Sequence, residues 1–236
     1  KLNIHHPKQI EFAKLNMAYT VISKRNLLKL VENKYVNSWD DPRMPTLSGL
    51  RRRGYTPNSI KNFIFSLGIA KREAVSYFNH LEHFVREDLN TLAQRAMAVL
   101  KPLKIIITNY PKEKIEYVEA INNPENPIDG KRKIPFSREI YIEQSDFIED
   151  PPKKFFRLTL GAEVRLMHAY YIICEKVIKN EKNEITELHC TYDAKSYGGW
   201  TEDGRKVKGT LHWVSAVHAL DATINIYNEL FTKENP

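Results

Sequence analysis

Residues 39–60 read WDDPRMPTLSGLRRRGYTPNSI and set the fold of the first part of the chain. This stretch contains the start of a helix, because the Thr56 hydroxyl can cap free backbone N–H groups and Pro57 has the fixed φ that suits a first turn. Apolar residues then recur at helical spacing over 60–67, and Gly68 stands where a left-handed C-terminal cap is favoured. The stretch therefore predicts a helix that begins at Pro57 and ends before Gly68.

Helical spacing of the apolar residues extends on both sides of this stretch, from Lys8 to about Asn90. The same spacing predicts a further helix over 72–85. Three consecutive arginines at 51–53 must spread around a helix, so at least one should contact a nearby aspartate or a phosphate. A solvated or salt-bridged helix end is the alternative for these arginines. We expect a compact helical unit over residues 1–92.

After Arg95 the apolar period changes from about 3.6 to 2, which is typical of strands. Turn residues separate these runs, and such a series suggests closed antiparallel sheets. Residues 180–183 are the clearest hairpin turn, and 123–133 is predicted to be an exposed loop. The fold class is therefore α+β, with helices first and antiparallel β-barrels over 93–236. The predicted strands are 103–107, 115–121, 139–142, 155–160, 164–177, 185–192, 207–214 and 223–227.

The composition bounds the function. The chain has 236 residues, of which 42% are hydrophobic and 28% charged, and a formal net charge of +7. A basic protein suits a polyanionic partner, although many basic proteins bind no nucleic acid. No apolar run approaches the roughly 18 residues of a membrane helix and no secretory pattern is present, so we expect a cytoplasmic protein that does not bind membranes.

The spacing of cysteines and histidines gives no sign of a metal site. Cys174 and Cys190 are the only cysteines, too few for a disulfide framework or a four-cysteine zinc site, and reduced core thiols are expected. His212 and His218 have no carboxylate or cysteine at ligand spacing. The sequence predicts no metal site.

A candidate phosphate-binding loop lies at residues 21–25, VISKR, where two cations adjoin a hydroxyl group. On its own the motif also fits an ordinary solvated loop. The longer segment 12–25, FAKLNMAYTVISKR, resembles the signature-lysine loop of class I aminoacyl-tRNA synthetases. In the glutaminyl enzymes this loop departs from the class pattern as it does here, with Val21 in place of the first lysine.

This resemblance implies an electrostatic role for Lys24 in catalysis, in which it stabilises charge that develops on the ATP phosphates. The two residues before Lys24 would shape the loop around the nucleotide, and two residues further upstream would contact the adenosine. None of these residues is a nucleophile or a general base. The ATP-binding residues that the resemblance implies are Lys14, Leu15, Ile22, Ser23 and Lys24.

Residues 39–60 closely resemble the helical subdomain of glutaminyl-tRNA synthetases. The archaeal and eukaryotic type of glutamyl-tRNA synthetase shares this architecture and is the nearest alternative. The sequence SGLRRRGY at residues 48–55 resembles the glutaminyl enzymes more than the glutamyl enzymes. The amino acid pocket itself would lie in a catalytic domain outside this chain.

The resemblance also implies tRNA contacts in the first half of the chain. Lys71 and Arg72 lie in the connection between two predicted helices, where they would contact backbone phosphates near a helix N-terminus. An ordinary charged turn is the alternative. Arg95 would hydrogen-bond the flipped-out middle anticodon base, since a guanidinium can both donate to a base edge and stack. A structural ion pair with Glu87 or Asp88 is the alternative for Arg95.

Cations and aromatic residues alternate over residues 153–166, a pattern suited to unpaired RNA bases. The resemblance implies that Arg157 reads the third anticodon base, while Lys153 and Lys154 attract phosphates. Phe156 replaces a lysine of the family. Met167 stands where some bacterial members use an arginine for the first base, so that base is read either loosely or by another residue such as His168.

Taken together, the resemblance implies the ATP-loop and tRNA-binding portion of a glutaminyl-tRNA synthetase. Its parent would join glutamine to glutamine tRNA with ATP and Mg²⁺, assisted by a catalytic domain in cis. The isolated chain is expected to be monomeric and inactive. Nothing after Pro236 returns to close the first barrel, so an unpaired sheet edge is expected. The alternative from another class is a stand-alone RNA-binding module whose ATP loop is vestigial.

Overall fold

The computed structural model describes residues 5–236 and forms two compact units. The first unit comprises the chain up to Ala93 together with Asn225–Pro236, and the second comprises Gln94–Ile224. The predicted division placed the end of the chain in the second part. The structure groups it with the first unit instead, where the Phe231 N–H donates to the Tyr19 carbonyl at 3.0 Å. The assignment of 1–92 and 93–236 as functional domains stays a prediction.

The first unit is mainly helical. Its two short strands pair in parallel, so it is not the all-helical subdomain that the sequence predicted. Along the chain its elements are β1 (Asn16–Met17), α1 (Lys24–Glu32), α2 (Leu47–Arg53), α3 (Pro57–Leu67), β2 (Val75–Ser76) and α4 (Phe78–Leu92).

Local capping explains where these helices begin and end. The prediction for α3 is confirmed, because the Thr56 hydroxyl accepts from the Ser59 N–H and Gly68, at φ 66°, follows the last turn. The helix predicted over 72–85 is wrong in its bounds. Residues 75–76 pair with β1 instead, so α4 begins only at Phe78. Tertiary strand pairing overrides helical spacing in this segment.

The first unit has two apolar clusters. Helices α3 and α4 pack together around Phe63 and Leu81, which are buried. The second cluster joins α1 to the turns that precede α2. Part of the predicted charge pattern is confirmed, since Arg52 pairs with Asp40 at 3.3 Å on the surface.

The second unit is built on strands. Along the chain they are β3 (Pro102–Ile107), β4 (Glu116–Ile121), β5 (Lys131–Phe136), β6 (Glu139–Glu143), β7 (Glu163–Leu166), β8 (Tyr171–Lys179), β9 (Ile185–Tyr192), β10 (Thr210–Leu211) and β11 (Val214–Ser215). Strands β4 and β5 form a separate antiparallel pair, and the other seven form one sheet in the order β10-β7-β8-β9-β3-β6-β11.

The seven-stranded sheet curls on itself. Strands β10 and β11 lie at its opposite edges, yet only His212 and Trp213 separate them in sequence. Because three residue steps span at most about 10 Å, the two edges must approach each other. The sheet is mixed, since β3 pairs in parallel with β9 and β7 with β10. The prediction of purely antiparallel sheets is wrong in this respect.

Several predicted strands also differ from the structure. Residues 164–177 form two strands, because the chain turns at 167–170. Residues 155–160 contribute only isolated bridges, and 223–227 lie in the part without regular structure. The predicted loop at 123–133 ends early, since β5 begins at Lys131. Alternation within a short segment does not reveal whether a partner strand is available to pair with it.

One apolar core fills the second unit. Its largest fully buried side chains include Trp213, Tyr110 and Phe136, whose rings meet edge to face around Phe136. The Trp213 indole N–H donates to the Met167 carbonyl at 3.0 Å. This bond ties the turn between β7 and β8 to the core. Across residues 5–236, no helix is long and apolar enough to cross a membrane.

Candidate nucleotide and nucleic-acid sites

The first unit contains a cleft of about 740 Å³ beside the predicted phosphate loop, which we name the loop cleft. Four of the five predicted ATP-binding residues line it: Lys14, Leu15, Ile22 and Ser23. Lys24 is not part of the lining. It is exposed as the first residue of α1, and no ion pair occupies it within residues 5–236. The full lining is Lys14, Leu15, Asn16, Met17, Thr20, Val21, Ile22, Ser23, Asn26, Glu73, Val75, Glu234, Asn235 and Pro236.

Ser23 marks the point where the loop becomes a helix. Its hydroxyl accepts from the Asn26 N–H at 3.4 Å, and α1 follows directly. The first turn of a helix carries free N–H groups and the positive end of the helix dipole, both of which favour an anion. The helical spacing from Lys8 onward predicted a helix before this segment, but in the structure β1 precedes the segment and α1 follows it. This correction strengthens its suitability for phosphate.

The lining of the loop cleft carries positive charge and free donors. Lys14 is exposed at its wall, and α1 begins directly after Ser23. Thr20 also lines the cleft, but its hydroxyl oxygen is buried and has no hydrogen-bond partner among residues 5–236. The exposed ammonium group and the free N–H groups of the helix start therefore suit an anionic ligand.

Lys71 and Arg72 lie apart from any helix start. Both are exposed and precede β2, while α4 begins only at Phe78. The prediction that they lie near a helix N-terminus is therefore wrong. They remain accessible cations in a segment without regular structure, so any phosphate contact would rest on their side-chain charge alone.

The second unit contains a cleft of about 820 Å³, which we name the sheet cleft. Arg95 lines it, and the Arg95 backbone N–H donates to the Asn122 carbonyl at 2.7 Å. Three arginines and two histidines share the lining with apolar side chains. The full lining is Arg95, Ala96, Met97, Ala98, Leu100, Ile121, Pro124, Arg132, Glu143, Arg165, Met167, His168, Gly198, Thr210 and His212.

Two arginines of the sheet cleft, Arg132 and Arg165, were not predicted as site residues. One Arg132 terminal nitrogen donates to the Ile121 carbonyl at 3.1 Å and to the Asn122 side chain at 3.2 Å. The Arg165 Nε donates to the Thr210 hydroxyl at 3.0 Å. Arg132 lay in the predicted loop, so its side chain could be placed only by recognising β5.

His168 lies in the turn between β7 and β8 and is half-buried in the sheet cleft. Its φ of 65° is in the left-handed region, which histidine adopts more often than most residues other than glycine. Burial lowers the pKa of His168 below its usual value, and the charges of Arg132 and Arg165 lower it further. A neutral imidazole beside two cations therefore faces the cleft.

Arg157, the predicted reader of the third base, does not line the sheet cleft. Its guanidinium donates to Asp146 at 2.8 Å, and burial raises the pKa of that carboxyl group. Asp146 also lies within electrostatic range of His212, a residue of the cleft lining. Arg157 is thus linked to the cleft wall through one carboxylate.

Lys153 and Lys154 are exposed close to Arg157 in sequence, and Lys154 has a φ of 70°. The exposed Phe156 ring supports the Lys208 ammonium group at 4.9 Å from its centroid. The Phe156 carbonyl would lie 2.4 Å from a Cβ at Gly209, so these two segments touch. The predicted mixture of cations and an accessible ring is present, outside the cleft rather than in it.

Metal ligands do not gather in the part of the chain that the structure describes: no group of three or more His, Cys, Asp or Glu side chains could hold an ion there. Both cysteines are free and buried. Cys174 and Cys190 lie directly opposite each other on β8 and β9.

Two models of one protein family match the chain. Residues 1–91 match the catalytic domain of the class I tRNA synthetases (E and Q), and residues 93–193 match the anticodon-binding domain of the same family. The chain belongs to this synthetase family. Its second match covers Arg95, Arg132, Arg165 and His168, which all line the sheet cleft.

Curated relatives in the family are named glutamine–tRNA ligase. The chain is 55% identical to that of Bradyrhizobium diazoefficiens over 98% of its own length and 41% of the relative. It is 54% identical to that of Rhodopirellula baltica over its whole length and 39% of the relative. It is 55% identical to that of Clostridium perfringens over 95% of its length and 41% of the relative. The chain thus spans about two fifths of these relatives.

Proposed function

We propose that this chain is the ATP-loop and tRNA-binding portion of a glutamine–tRNA ligase. The observation that carries the proposal is the sheet cleft, in which guanidinium groups line apolar walls within the part that matches an anticodon-binding domain. The parent enzyme would use ATP with Mg²⁺ to attach glutamine to its tRNA. The partners of this chain would be glutamine tRNA and, in cis, the nucleotide-binding part of the catalytic domain, since residues 1–91 match the model of that domain. The parent enzyme would act as a cytoplasmic monomer.

The sheet cleft suits an unpaired nucleotide. Met97, Leu100 and Met167 provide apolar surface for the face of a base, while Arg95 provides donors for its edge. Arg157 is held in a defined direction by the buried Asp146, which suits a second base contact beside the cleft. Lys153 and Lys154 would attract phosphates without reading sequence.

The loop cleft suits the nucleotide substrate. Lys14 and Leu15 would contact adenosine, and Ile22 and Ser23 would shape the loop around the phosphates. Lys24, exposed beside the first turn of α1, would stabilise the charge that develops as the amino acid carboxylate attacks ATP. These residues supply positioning and charge, so the proposal expects no activity from this chain alone.

The proposal is tested with the chain as it is. Filter binding should detect an interaction with glutamine tRNA that weakens steeply between 50 and 200 mM salt, since each neutralised phosphate releases counterions. ATP–pyrophosphate exchange should be undetectable. Robust aminoacylation by the chain alone would contradict the proposal that catalysis needs a further part of the enzyme. Equal binding of tRNA and double-stranded DNA would contradict the tRNA-binding role.

The family description covers both the glutamate and the glutamine enzymes, so the cognate tRNA needs its own measurement. Titration with glutamine and glutamate tRNAs under identical salt should favour the glutamine tRNA. Tighter binding of glutamate tRNA would favour the glutamyl alternative. Equal binding of both tRNAs and of an unrelated unpaired RNA would favour a stand-alone RNA-binding module, for which the sheet cleft alone would suffice.

A further inference from the structure

The sheet cleft contains a cationic pair that the proposed base contacts leave unused. Arg132 and Arg165 are both half-buried, and neither forms an ion pair with any residue within 5–236. A guanidinium group that loses part of its contact with water gains stability from an anionic partner. Glu143, the acidic residue of the cleft lining, is engaged by the Leu100 and Lys101 backbone N–H groups at 2.6 and 3.1 Å.

Both guanidinium groups are held in position by neutral acceptors. Arg132 donates to a carbonyl and an amide oxygen at the end of β4, and Arg165 donates to the Thr210 hydroxyl. Gly199 allows this placement, because a Cβ there would lie 2.5 Å from the Arg165 Cδ. Each fixed guanidinium retains further N–H donors, which suits a tetrahedral oxyanion.

The charges of both arginines act on His168, which lines the same cleft. Its φ of 65° is in the left-handed region, which histidine adopts more readily than most residues. The turn that carries His168 is fixed on both sides: the Met167 N–H donates to the Leu211 carbonyl at 2.8 Å, and the Gly199 N–H donates to the Ala169 carbonyl at 3.0 Å.

We infer that Arg132, Arg165 and His168 form a subsite for one backbone phosphate of the bound RNA, and that His168 becomes its third cationic donor on binding. The inference rests on the proposed tRNA-binding function. The phosphate chemistry alone would also accept free inorganic phosphate. The curled sheet favours the RNA source, because Arg95 and an apolar wall for a base share the same cleft.

Binding of a phosphate should be coupled to protonation of His168. In the free protein burial and the two arginines depress the pKa of His168, so its imidazole is neutral near pH 7. A phosphate anion would favour the charged form and raise that pKa. Binding would therefore take up a proton, and affinity should increase as the pH falls from about 8 to 6. The other charged groups of the cleft lining are Arg95, Glu143 and His212.

The test uses the whole chain and a fluorescent anticodon hairpin of glutamine tRNA in fluorescence anisotropy at constant ionic strength. R132Q and R165Q should each reduce affinity about tenfold, the scale of one charge-assisted contact. H168N should retain the fold, because asparagine tolerates a positive φ, and should abolish the pH dependence of binding. K182Q, at the exposed β8–β9 turn, matches the charge loss of the arginine variants and should bind like the unaltered chain.

Different outcomes separate the two hypotheses. If the unaltered chain does not bind the hairpin, the proposed function fails. If it binds but R132Q and R165Q behave like K182Q, or if H168N keeps the pH dependence of the unaltered chain, only the phosphate subsite is wrong. Inorganic phosphate at matched ionic strength should displace the hairpin no better than chloride. If inorganic phosphate displaces the hairpin and R132Q still binds the hairpin as tightly as the unaltered chain, the site binds free phosphate. That result would contradict the inference that it binds a phosphate of the RNA.

Discussion

The loop cleft and the sheet cleft are assembled in opposite ways. Most of the loop cleft comes from one contiguous segment, residues 14–26, to which the end of the chain and the β2 region add a few contacts. The sheet cleft draws its residues from widely separated strands and turns between Arg95 and His212. A local sequence motif can therefore predict the first site, whereas the second site forms only when distant strands come together in the curled sheet.

The two clefts also differ in how their charged side chains are held. Lys14 and Lys24 are exposed ammonium groups on long side chains, which are strongly hydrated and mobile. Arg132 and Arg165 are half-buried, and hydrogen bonds fix their direction. The ammonium groups near the loop cleft are therefore mobile, and contacts from another domain could fix their direction. The sheet cleft is preorganised by its own unit. Four substitutions test this difference, and the size of their effects should decrease from Asp41 to Lys24.

The largest effect is expected at Asp41, which stabilises the unit that contains the loop cleft. Asp41 is 2% exposed and accepts from the Asn37 N–H and from the backbone and guanidinium of Arg43. D41A should lower the free energy of unfolding of the first unit by roughly 3 kcal/mol, because it leaves these donors without a partner. Hydrogen exchange should show the loss there and spare residues 94–224.

The neighbouring Asp40 is the matched control, since its ion pair with Arg52 is exposed and D40A should change nothing measurable. The Arg43 hydrogen bonds hold the pKa of Asp41 well below its usual range, so its contribution is present at neutral pH and lost as the pH falls through that lowered pKa. Equal destabilisation of both units by D41A would show that they unfold as one.

The second effect concerns base recognition in the sheet cleft. R95A should weaken binding of the anticodon hairpin by roughly 2 kcal/mol and relax discrimination at the middle anticodon base, the scale of one bidentate base contact. Hairpins with each of the four middle bases provide the measurement. Equal losses for all four hairpins would identify Arg95 as a phosphate contact instead.

The third effect concerns the preorganisation of Arg165. Gly199 and Gly204 both have a positive φ, but only at Gly199 would a Cβ meet Arg165, at 2.5 Å from its Cδ. G199A should cost about 1 kcal/mol more stability than G204A and should reduce hairpin affinity severalfold. Thermal unfolding and anisotropy measure the two losses. If G204A reduces affinity as much as G199A, Arg165 placement is not the cause.

The smallest effect is expected for Lys24. Because it is exposed in the first unit, K24A should leave hairpin affinity within about 0.3 kcal/mol of the unaltered chain. In the parent enzyme the same substitution should strongly reduce ATP–pyrophosphate exchange. A clear loss of hairpin binding in K24A would break the separation of the two clefts.

The sequence predictions were more accurate for local features than for features that depend on residues distant in sequence. The cap at Thr56, the end of α3 before Gly68 and the turn at 180–183 were correct, because each depends on residues close together in sequence. The helix over 72–85 was misplaced, because a pairing between residues almost sixty positions apart removes 75–76 from it. Local rules contain no information about such a partner.

The candidate sites show the same limit. Four of five predicted ATP-binding residues line one cleft and Arg95 lines the other, while their roles stay predictions. Arg132 was assigned to a loop and Arg165 received no role. Their importance depends on β5 and β7 placing both side chains in the cleft that His168 also lines, which no single segment encodes.

Residue order alone was sufficient for the family, the α+β class and the loop that contains Ser23 and Lys24, whereas the helix that starts at Lys24 was seen only in the structure. The family, the class and the loop follow from residue spacing, capping chemistry and a recognisable order of motifs. The folded chain was required to show that the sheet is mixed, that its edges approach each other at His212 and Trp213, and that two arginines share a cleft with a histidine. This division arises because pairing, burial and electrostatic fields depend on distances in space, which sequence separation does not fix.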